Sequence, residues 1–388
     1  MKSASRRDVC LAGMLVLVAL MAAGCEQSGK SSALAGSRPA ADAGQSLPSD
    51  SQLKAELDKV IAFTRARHLA PQLPSAEAGT GNNAWQIVHG ALCYGNELEL
   101  NVNGKLVPVI DYLFDGGPLK GWNLQPAAKG LESVMDPGTK VGEGHKDQWI
   151  GYLSQCGVKL DHPVKVGSRT FTVRDMVTQA QWSVHDGMEA TWTLMALSTY
   201  LPLDSTWKAK DGSQWTIERL VAIEAAQNIN ESACGGSHRL YGMATALRHY
   251  RAGGKPLTGA WLTAQEKIDQ CIALAQQNQQ PDGSFSTNYF QRSSTSPDIA
   301  LRLNTTGHTL EFLAMALDDQ QLTEPWVVRA VVYLCNLLEG TQELPLECAG
   351  LYHATHGLRL YRERRFGPPP AIAAQAKPVS VAKAKPGK

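Results

Sequence analysis

The sequence is poor in net charge. Its 388 residues contain 37 Lys and Arg and 36 Asp and Glu, which gives a formal charge of +1 at pH 7. Proteins that bind nucleic acid draw much of their affinity from clustered basic residues that contact phosphates. The balanced composition offers no such surplus, so we expect no nucleic-acid partner.

The short motifs that mark many metal and protease sites are also missing. Neither Cys-x-x-Cys nor His-Glu-x-x-His occurs in the chain, so no zinc finger or zincin-type protease is indicated. The apolar stretch Val9–Ala23 is shorter than the roughly 20 residues that a membrane-spanning helix needs. Motifs alone therefore identify neither a metal site nor a reaction.

The N-terminus has the composition of a targeting segment. Basic residues at positions 2, 6 and 7 precede the apolar stretch, which ends in small residues before Cys25. This resembles a bacterial lipobox, so we expect residues 1–24 to be a signal peptide and Cys25 to carry a lipid that anchors the protein to a membrane. A plain secretory signal is the alternative. Glu26, in place of Asp, favours the outer membrane or periplasmic face, and export permits a disulfide, for which Cys93 and Cys156 are the expected pair.

The remaining chain divides into a folded region between two segments of low complexity. Residues 25–50 and 367–388 are rich in Ser, Ala, Gly, Pro or Lys and contain few large apolar residues. Such segments bury too little apolar surface to fold, so we expect a flexible tether and a disordered tail. No long linker interrupts residues 51–366, which we expect to form one domain.

One type of segment recurs six times within this domain. In the strongest copy, Ala233–Tyr250, the residues Leu240, Met243, Ala244 and Leu247 follow the i, i+3, i+4, i+7 spacing of a helix face. Each related segment contains at least one histidine, and these segments begin at Asn82, Gly144, His185, Asn304 and Cys348. The strong copies are apolar or small over most of their helical surface, which predicts buried inner helices.

A second helix type, more mixed in polarity, alternates with the first. Its candidates are Ser51–His68, part of Asp111–Met135, Val173–Trp182, Ile217–Ile229, Ala264–Asn278 and Glu324–Glu339. The alternation predicts an all-α domain, an α/α toroid of about six helical hairpins, because such repeats bury their apolar faces only against their neighbours. An irregular helical domain with chance similarity between segments is the alternative.

Short β-hairpins and one long loop are expected between the helices. The three hairpins are Leu98–Val109, Val164–Val173 and Trp207–Ile217. The last of them contains Asp211-Gly212, a pair favoured in two-residue turns. The loop Gln279–Asn304 is long for a compact domain, and such loops are often functional.

The long loop begins with the run Gln279-Gln280-Pro281-Asp282-Gly283-Ser284-Phe285. This run resembles the Gln-x-x-Asp-Gly-Ser-Trp/Phe element of the terpenoid cyclase and protein prenyltransferase toroids, in which it ties an outer helix to the following loop. The resemblance implies the toroid fold from Ser51 to Phe366 and implies no reaction. The Asp-x-Asp-Asp run of squalene-type cyclases and a clear Asp-x-Cys zinc pair are missing, and Asp318-Asp319 lacks the third carboxylate of a diphosphate site.

In a toroid, parallel inner helices bring their polar N-terminal residues together at one end of a central cavity. The residues that we expect to act there in binding or catalysis are His238, Glu311, Tyr241, Arg239, His308, His185 and Glu189. His185 and Glu189 are spaced i, i+4 and would share a helix face. The expected ligand is a polysaccharide or a small apolar or anionic molecule. The alternative is that these polar residues only cap helices and bond to the loops.

Two chemistries are compatible with this set, and a non-catalytic interaction scaffold is a third possibility. Zinc is one possible cofactor, and its candidate ligands, which resemble those of the lanthionine-cyclase toroids in residue types only, are Cys234, Cys348 and His353. The other chemistry is acid–base catalysis on a cell-surface polymer, as in toroid polysaccharide lyases. There Asn304 or Arg239 would neutralise a carboxylate while His238 or Tyr241 moves a proton.

The sharpest expectation concerns His238 and Glu311. If their helices begin close to Ser237 and His308, both side chains lie in the first turns of adjacent inner helices and face the cavity. The helix dipole there favours an ionised carboxylate and disfavours a protonated histidine. We therefore expect a neutral His238 beside an ionised Glu311, and the alternative is that Glu311 only caps its helix or pairs with Arg239.

Overall fold

The structure is a computed structural model that describes residues 46–77 and 79–368. The expected signal peptide and the expected lipidation site, Cys25, lie outside these residues, as do most of the expected tether and nearly all of the expected tail. Within the described ranges, no helix combines the length and the apolar character that crossing a membrane requires.

The described chain is mainly helical, as predicted, with twelve α-helices and four small sheets. The helices are α1 (Asp50–Arg65), α2 (Ala84–Tyr94), α3 (Val109–Phe114), α4 (Gln148–Leu153), α5 (Val173–Ser183), α6 (Thr191–Tyr200), α7 (Ile217–Ala226), α8 (Ser237–Ala252), α9 (Gly259–Asn278), α10 (Ile299–Ala316), α11 (Pro325–Gly340) and α12 (Cys348–Phe366). The strands are β1 (Glu99–Val102), β2 (Lys105–Pro108), β3 (Leu124–Pro126), β4 (Leu131–Ser133), β5 (Pro163–Val166), β6 (Arg169–Thr172), β7 (Thr206–Lys208) and β8 (Gln214–Thr216).

Each sheet is a two-stranded antiparallel hairpin, and three of the four confirm the predicted hairpins. The turn of β7–β8 is longer than predicted, because Lys208 pairs with Gln214 and leaves residues 209–213 in the connection. Asp211 accepts hydrogen bonds from the backbone N–H and the hydroxyl of Ser213, which stabilises this longer loop. The sequence does not predict the hairpin β3–β4. It lies within Asp111–Met135, where part of an outer helix was expected and where only the end of α3 is helical.

The inner helix α10 begins at Ile299, much earlier than the predicted start near His308. The carboxylate of Asp298 accepts hydrogen bonds from the first backbone N–H groups of the helix and fixes this start. The loop after α9 is correspondingly shorter than predicted. Glu311 lies well inside α10, so the expected influence of a helix N-terminus on its charge is wrong.

The inner helix α6 begins at Thr191, after His185 and not at it. The buried carboxylate of Glu224 on α7 accepts hydrogen bonds from the N–H of Ala190 at 3.0 Å and from the hydroxyl of Thr191 at 2.6 Å. These bonds hold Ala190 and Thr191, at the start of α6, against α7. His185 and Glu189 therefore lie in the preceding loop, and the prediction that they share a helix face is wrong.

The inner helices pack against one another in order of sequence. α2 contacts α4, α4 contacts α6, and the succession continues through α8, α10 and α12, which in turn contacts α2. A Cβ at Gly307 would lie 2.6 Å from Cα of Ala354, and a Cβ at Gly357 would lie 2.9 Å from the backbone nitrogen of Glu311. The two glycines thus permit near backbone contact between α10 and α12, which brings Glu311 to the side chains of α12.

The six cysteines in the described part of the chain are free thiols. The expected disulfide between Cys93 and Cys156 is therefore not formed. Cys156 instead donates its S–H to the backbone oxygen of Ala91 at 3.1 Å, and Cys93 is buried in the apolar core.

Candidate functional site

A cavity of about 460 Å³ receives side chains from all six inner helices. Pockets of this size commonly bind small molecules. The residues of its wall that carry polar or aromatic chemistry include Trp85, His89, Gln148, Tyr152, Trp192, Cys234, His238, Asn304, His308 and His353. The cavity therefore gathers residues from distant parts of the chain at one place.

Four buried histidines, each from a different inner helix, form a cluster at this cavity. They are His89 on α2, His238 on α8, His308 on α10 and His353 on α12. The ring centroids of His308 and His353 lie 3.9 Å apart. The ring centroid of His238 lies 4.8 Å from that of His308 and 5.0 Å from that of His353. His89 lies 5.1 Å from His353. Buried imidazoles rarely gather so closely unless their nitrogens have partners.

Three of these rings are held by a hydrogen bond at Nδ1. In His89 and His308, Nδ1 lies 2.5 and 2.7 Å from the backbone oxygen four residues earlier. In His353, Nδ1 lies 2.9 Å from Oε2 of Glu311. A carbonyl or carboxylate oxygen accepts, so each Nδ1 carries the proton and Nε2 remains available to the cluster. Histidines that bind metals typically have their second nitrogen anchored in this way.

Glu311 lies behind the cluster and is not part of the cavity wall. Its two oxygens accept hydrogen bonds from Nδ1 of His353 and, at 2.5 Å, from Nδ1 of His356. Burial opposes the charge of Glu311, but the two histidines outweigh burial and hold its pKa well below the usual value. Burial lowers the pKa of His353 to about 3, so a neutral imidazole donates to an ionised carboxylate. The expectation that Glu311 faces the cavity is wrong, and so is its alternative pairing with Arg239.

Cys234 precedes α8 in a left-handed conformation, with φ 50° and ψ 43°. A residue other than glycine adopts this conformation only when its surroundings impose it, and such strain is common at functional sites. Gly235 and Gly236 are left-handed as well, and a Cβ at Gly235 would lie 2.3 Å from the ring of Tyr289. This turn, which the double glycine makes possible, sets the thiol beside the histidine cluster.

Electrostatics favour the thiolate form of Cys234. Burial opposes its ionisation, but interactions with His308 and His238 outweigh burial and hold its pKa well below the usual value. Burial lowers the pKa of His308, but the charge of Cys234 outweighs that effect and the pKa is raised to about 9. Burial lowers the pKa of His238 to about 4. A thiolate beside a protonated His308 is suited to nucleophilic attack. A metal ion bound there would take the place of the proton on Nε2 of His308.

Two sets of potential metal ligands occur among the described residues. The thiol of Cys234 and ring nitrogens of His238 and His308 all lie within 4.8 Å of one another, and the second set is His238, Glu311 and His353. Glu311 already accepts hydrogen bonds through both oxygens, so the first set is the better one. Cys348 belongs to neither set, which corrects the predicted ligands Cys234, Cys348 and His353.

Two residues expected in catalysis lie outside the cavity wall. Arg239 turns towards α7, where its Nη1 lies 3.3 Å from Oε1 of Glu224 and its Nε donates to Ser232. Tyr241 is buried, with its ring 6.2 Å from that of His356. Of the residues predicted for binding or catalysis, only His238 and His308 belong to the cavity wall.

The remaining two candidates, His185 and Glu189, both lie in the loop before α6. His185 is exposed and is not part of the cavity wall. Glu189 accepts a hydrogen bond from Nδ1 of His145 at 2.8 Å, and the ring of His145 stacks on Trp192 at 4.2 Å. Glu189 therefore orients a wall residue without reaching the cluster. No sequence pattern singled out Trp192, nor Tyr152, whose hydroxyl lies 3.5 Å from Nε2 of His353.

Comparison of the chain with protein-family models, with curated proteins and with solved structures gives no match. The function is therefore inferred from the chemistry of the site itself.

Proposed function

We propose that the folded domain is an α/α toroid with a metal-dependent site in its central cavity. The toroid is supported by the packing order of the inner helices, which leads from α2 through α12 and back to α2. It is also supported by the cavity, whose wall takes residues from each of these six helices. In such a ring every inner helix buries its apolar face against two neighbours.

We propose that Cys234, His238 and His308 bind a zinc ion. One thiolate and two imidazoles form a donor set that suits zinc and does not suit magnesium or calcium. Tetrahedral zinc with these donors requires ligand atoms about 3.3–3.6 Å apart. The three atoms lie within 4.8 Å of one another, so binding would draw them together by at most about 1.5 Å. The anchored Nδ1 of His308 is the single observation that carries this proposal furthest, because it presents Nε2 to the site in a fixed orientation.

Three protein ligands leave one coordination position for a ligand in the cavity. Zinc bound in this way supplies a Lewis acid that polarises a carbonyl group or a water molecule. His353 lies beside the site, and Glu311 holds its ring in one orientation through Nδ1. The hydroxyl of Tyr152 lies 3.5 Å from Nε2 of the same ring. These residues are placed to exchange a proton with a ligand, as acid–base catalysis requires.

Metal analysis of the purified, full-length protein tests this proposal. We expect about one zinc ion per chain, and we expect Cys234→Ser and His308→Ala each to lose it while the far-ultraviolet circular dichroism stays unchanged. His185→Ala is the matched control, because His185 is exposed in a loop and should leave the zinc content intact. A wild-type protein that binds no zinc, even after dialysis against the metal, would overturn the proposal.

A cysteine nucleophile is the second candidate, and the favoured thiolate of Cys234 supports it. Alkylation by iodoacetamide separates the two candidates. If Cys234 is a zinc ligand, added zinc will protect it from alkylation. If it is a nucleophile without a metal, zinc will not change the rate. A polysaccharide lyase receives less support, because Arg239 pairs with Glu224 and Tyr241 lies outside the cavity wall.

We also propose that the protein is exported and anchored by a lipid on Cys25, which the lipobox-like residues before it support. The substitution Cys25→Ser should move the protein from the membrane fraction to the soluble fraction. Unchanged membrane retention would contradict the anchor.

A further inference from the structure

The wall of the cavity next to the proposed metal centre is largely apolar. Trp85 and Trp192 contribute aromatic rings, and Leu301, Leu303 and Leu346 contribute branched side chains. Leu301 is 39% exposed, so the apolar wall reaches the surface of the protein. An apolar wall that begins at the surface and leads to a polar cluster is typical of a site for an amphiphilic molecule.

Most polar groups of the wall already have partners within the protein. Asp298 and Glu347 cap the first turns of α10 and α12. Gln148 bonds through both ends of its amide, and the amide nitrogen of Asn304 donates to the hydroxyl of Tyr289. These groups offer few free hydrogen bonds to a ligand along the wall. Polar recognition is therefore concentrated at the Cys234–histidine end.

The charges of the wall argue against a highly anionic ligand. Apart from the histidines, the wall contains one cation, Lys140, and two anions, Asp298 and Glu347. A diphosphate or a run of uronic acids needs several converging cations. The wall does not offer them, so a ligand with one polar head and one uncharged arm fits better.

We propose that the substrate is an amphiphile with a single apolar arm, such as an alkyl or acyl chain, and one carbonyl-type head group. The head, a carboxylate, ester or amide, would occupy the fourth coordination position at Cys234, His238 and His308. The arm would lie between the tryptophans and the leucines of the wall. The position of the head group rests on the proposed metal centre. The binding of the apolar arm by the wall is a separate claim, which can fail while the metal centre stands.

Alkyl hydroxamates of increasing chain length test the assignment on the intact, zinc-loaded protein, because a hydroxamate head binds zinc strongly. Isothermal titration compares acetohydroxamate through decanohydroxamate with the primary amides of the same chain lengths. We expect hydroxamate affinity to rise about fourfold per methylene until the wall is covered, and we expect the amides to bind far more weakly. Ala300→Trp should weaken the long hydroxamates at least tenfold and leave acetohydroxamate unchanged, because Ala300 lies at the exposed part of the wall.

Ala252→Trp is the matched control, since Ala252 is an exposed residue at the far end of α8 and its substitution should change no affinity. Binding of all hydroxamates with equal affinity would refute the apolar arm and leave the metal centre standing. Equal affinities of each hydroxamate and its amide in the zinc-loaded protein would refute the metal centre and with it the head-group assignment. Equal effects of the two tryptophan variants would also refute the position of the arm.

Discussion

Replacing Gly235 by alanine should disturb the site through one added methyl group. Gly235 has φ +62°, and the new Cβ would lie 2.3 Å from the ring of Tyr289. A left-handed alanine costs about 1–2 kcal/mol, and the overlap with the half-buried ring of Tyr289 adds about 1–3 kcal/mol of overpacking. Because Cys234 precedes this glycine, relief of the overlap should also move the thiol. We expect a loss of about 2–5 kcal/mol in unfolding free energy and a large loss of zinc affinity.

Gly212→Ala provides the matched control for the backbone term. Gly212 has φ +82° and no heavy atom within 4 Å of the position of an added Cβ. It should therefore show the conformational cost of about 1–2 kcal/mol alone and keep the zinc affinity of the wild type. Urea unfolding followed by circular dichroism gives the first quantity, and competition with a chromogenic chelator gives the second. Equal effects of the two substitutions on both quantities would refute the argument that Tyr289 and the glycine turn position Cys234.

The other predictions concern buried charges. Burial raises the pKa of Glu143 from 4.5 to about 8. The stability that the protonated carboxyl provides is therefore present below pH 4.5 and is lost as the pH rises through 8. In urea unfolding, the unfolding free energy of Glu143→Gln relative to the wild type should increase by up to about 5 kcal/mol between pH 5 and pH 9. Arg239→Met should lower the unfolding free energy by about 3–5 kcal/mol, because it leaves Glu224 buried without its cation. It should leave the zinc content unchanged, and a variant that lost zinc without losing stability would contradict this. Glu311→Gln should destabilise the fold by about 1–3 kcal/mol through the lost charged hydrogen bonds, which a thermal melt measures, and an unchanged melting temperature would show that His353 needs no anchor.

The helices were the most predictable part of the molecule. α5 and α7 begin at the residues that the sequence indicates, Val173 and Ile217, and α8 begins at the expected Ser237. Apolar spacing reports which face of a helix is buried, so it predicts the existence of a helix well. It predicts a start less well, because the start depends on a capping partner. The caps of α6 and α10 come from Glu224, a distant residue, and from Asp298, which lies inside the predicted loop.

The composition of the site was only partly predictable. The residues Cys234, His238, His308 and His353 were singled out from their positions at the starts of apolar segments, and the cavity brings them together. The pairing of Glu311 with His353 was not predictable, because it depends on the close approach of α10 and α12 at two glycines. Tyr289 lies in an irregular loop, where no periodicity identifies a residue that packs against Gly235.

The most direct test of the central claim is X-ray absorption spectroscopy at the zinc edge of the full-length, zinc-loaded protein. The proposed ligands predict one sulfur neighbour at about 2.3 Å and two imidazole nitrogens at about 2.0 Å, with a light atom completing the shell. Cys348→Ser should keep the zinc and its sulfur neighbour, because Cys348 belongs to neither set of potential ligands. Cys234→Ser should lose the zinc, and any zinc that it retains should have no sulfur neighbour. A shell without sulfur, or a sulfur contribution that survives Cys234→Ser, would contradict the metal centre at Cys234, His238 and His308.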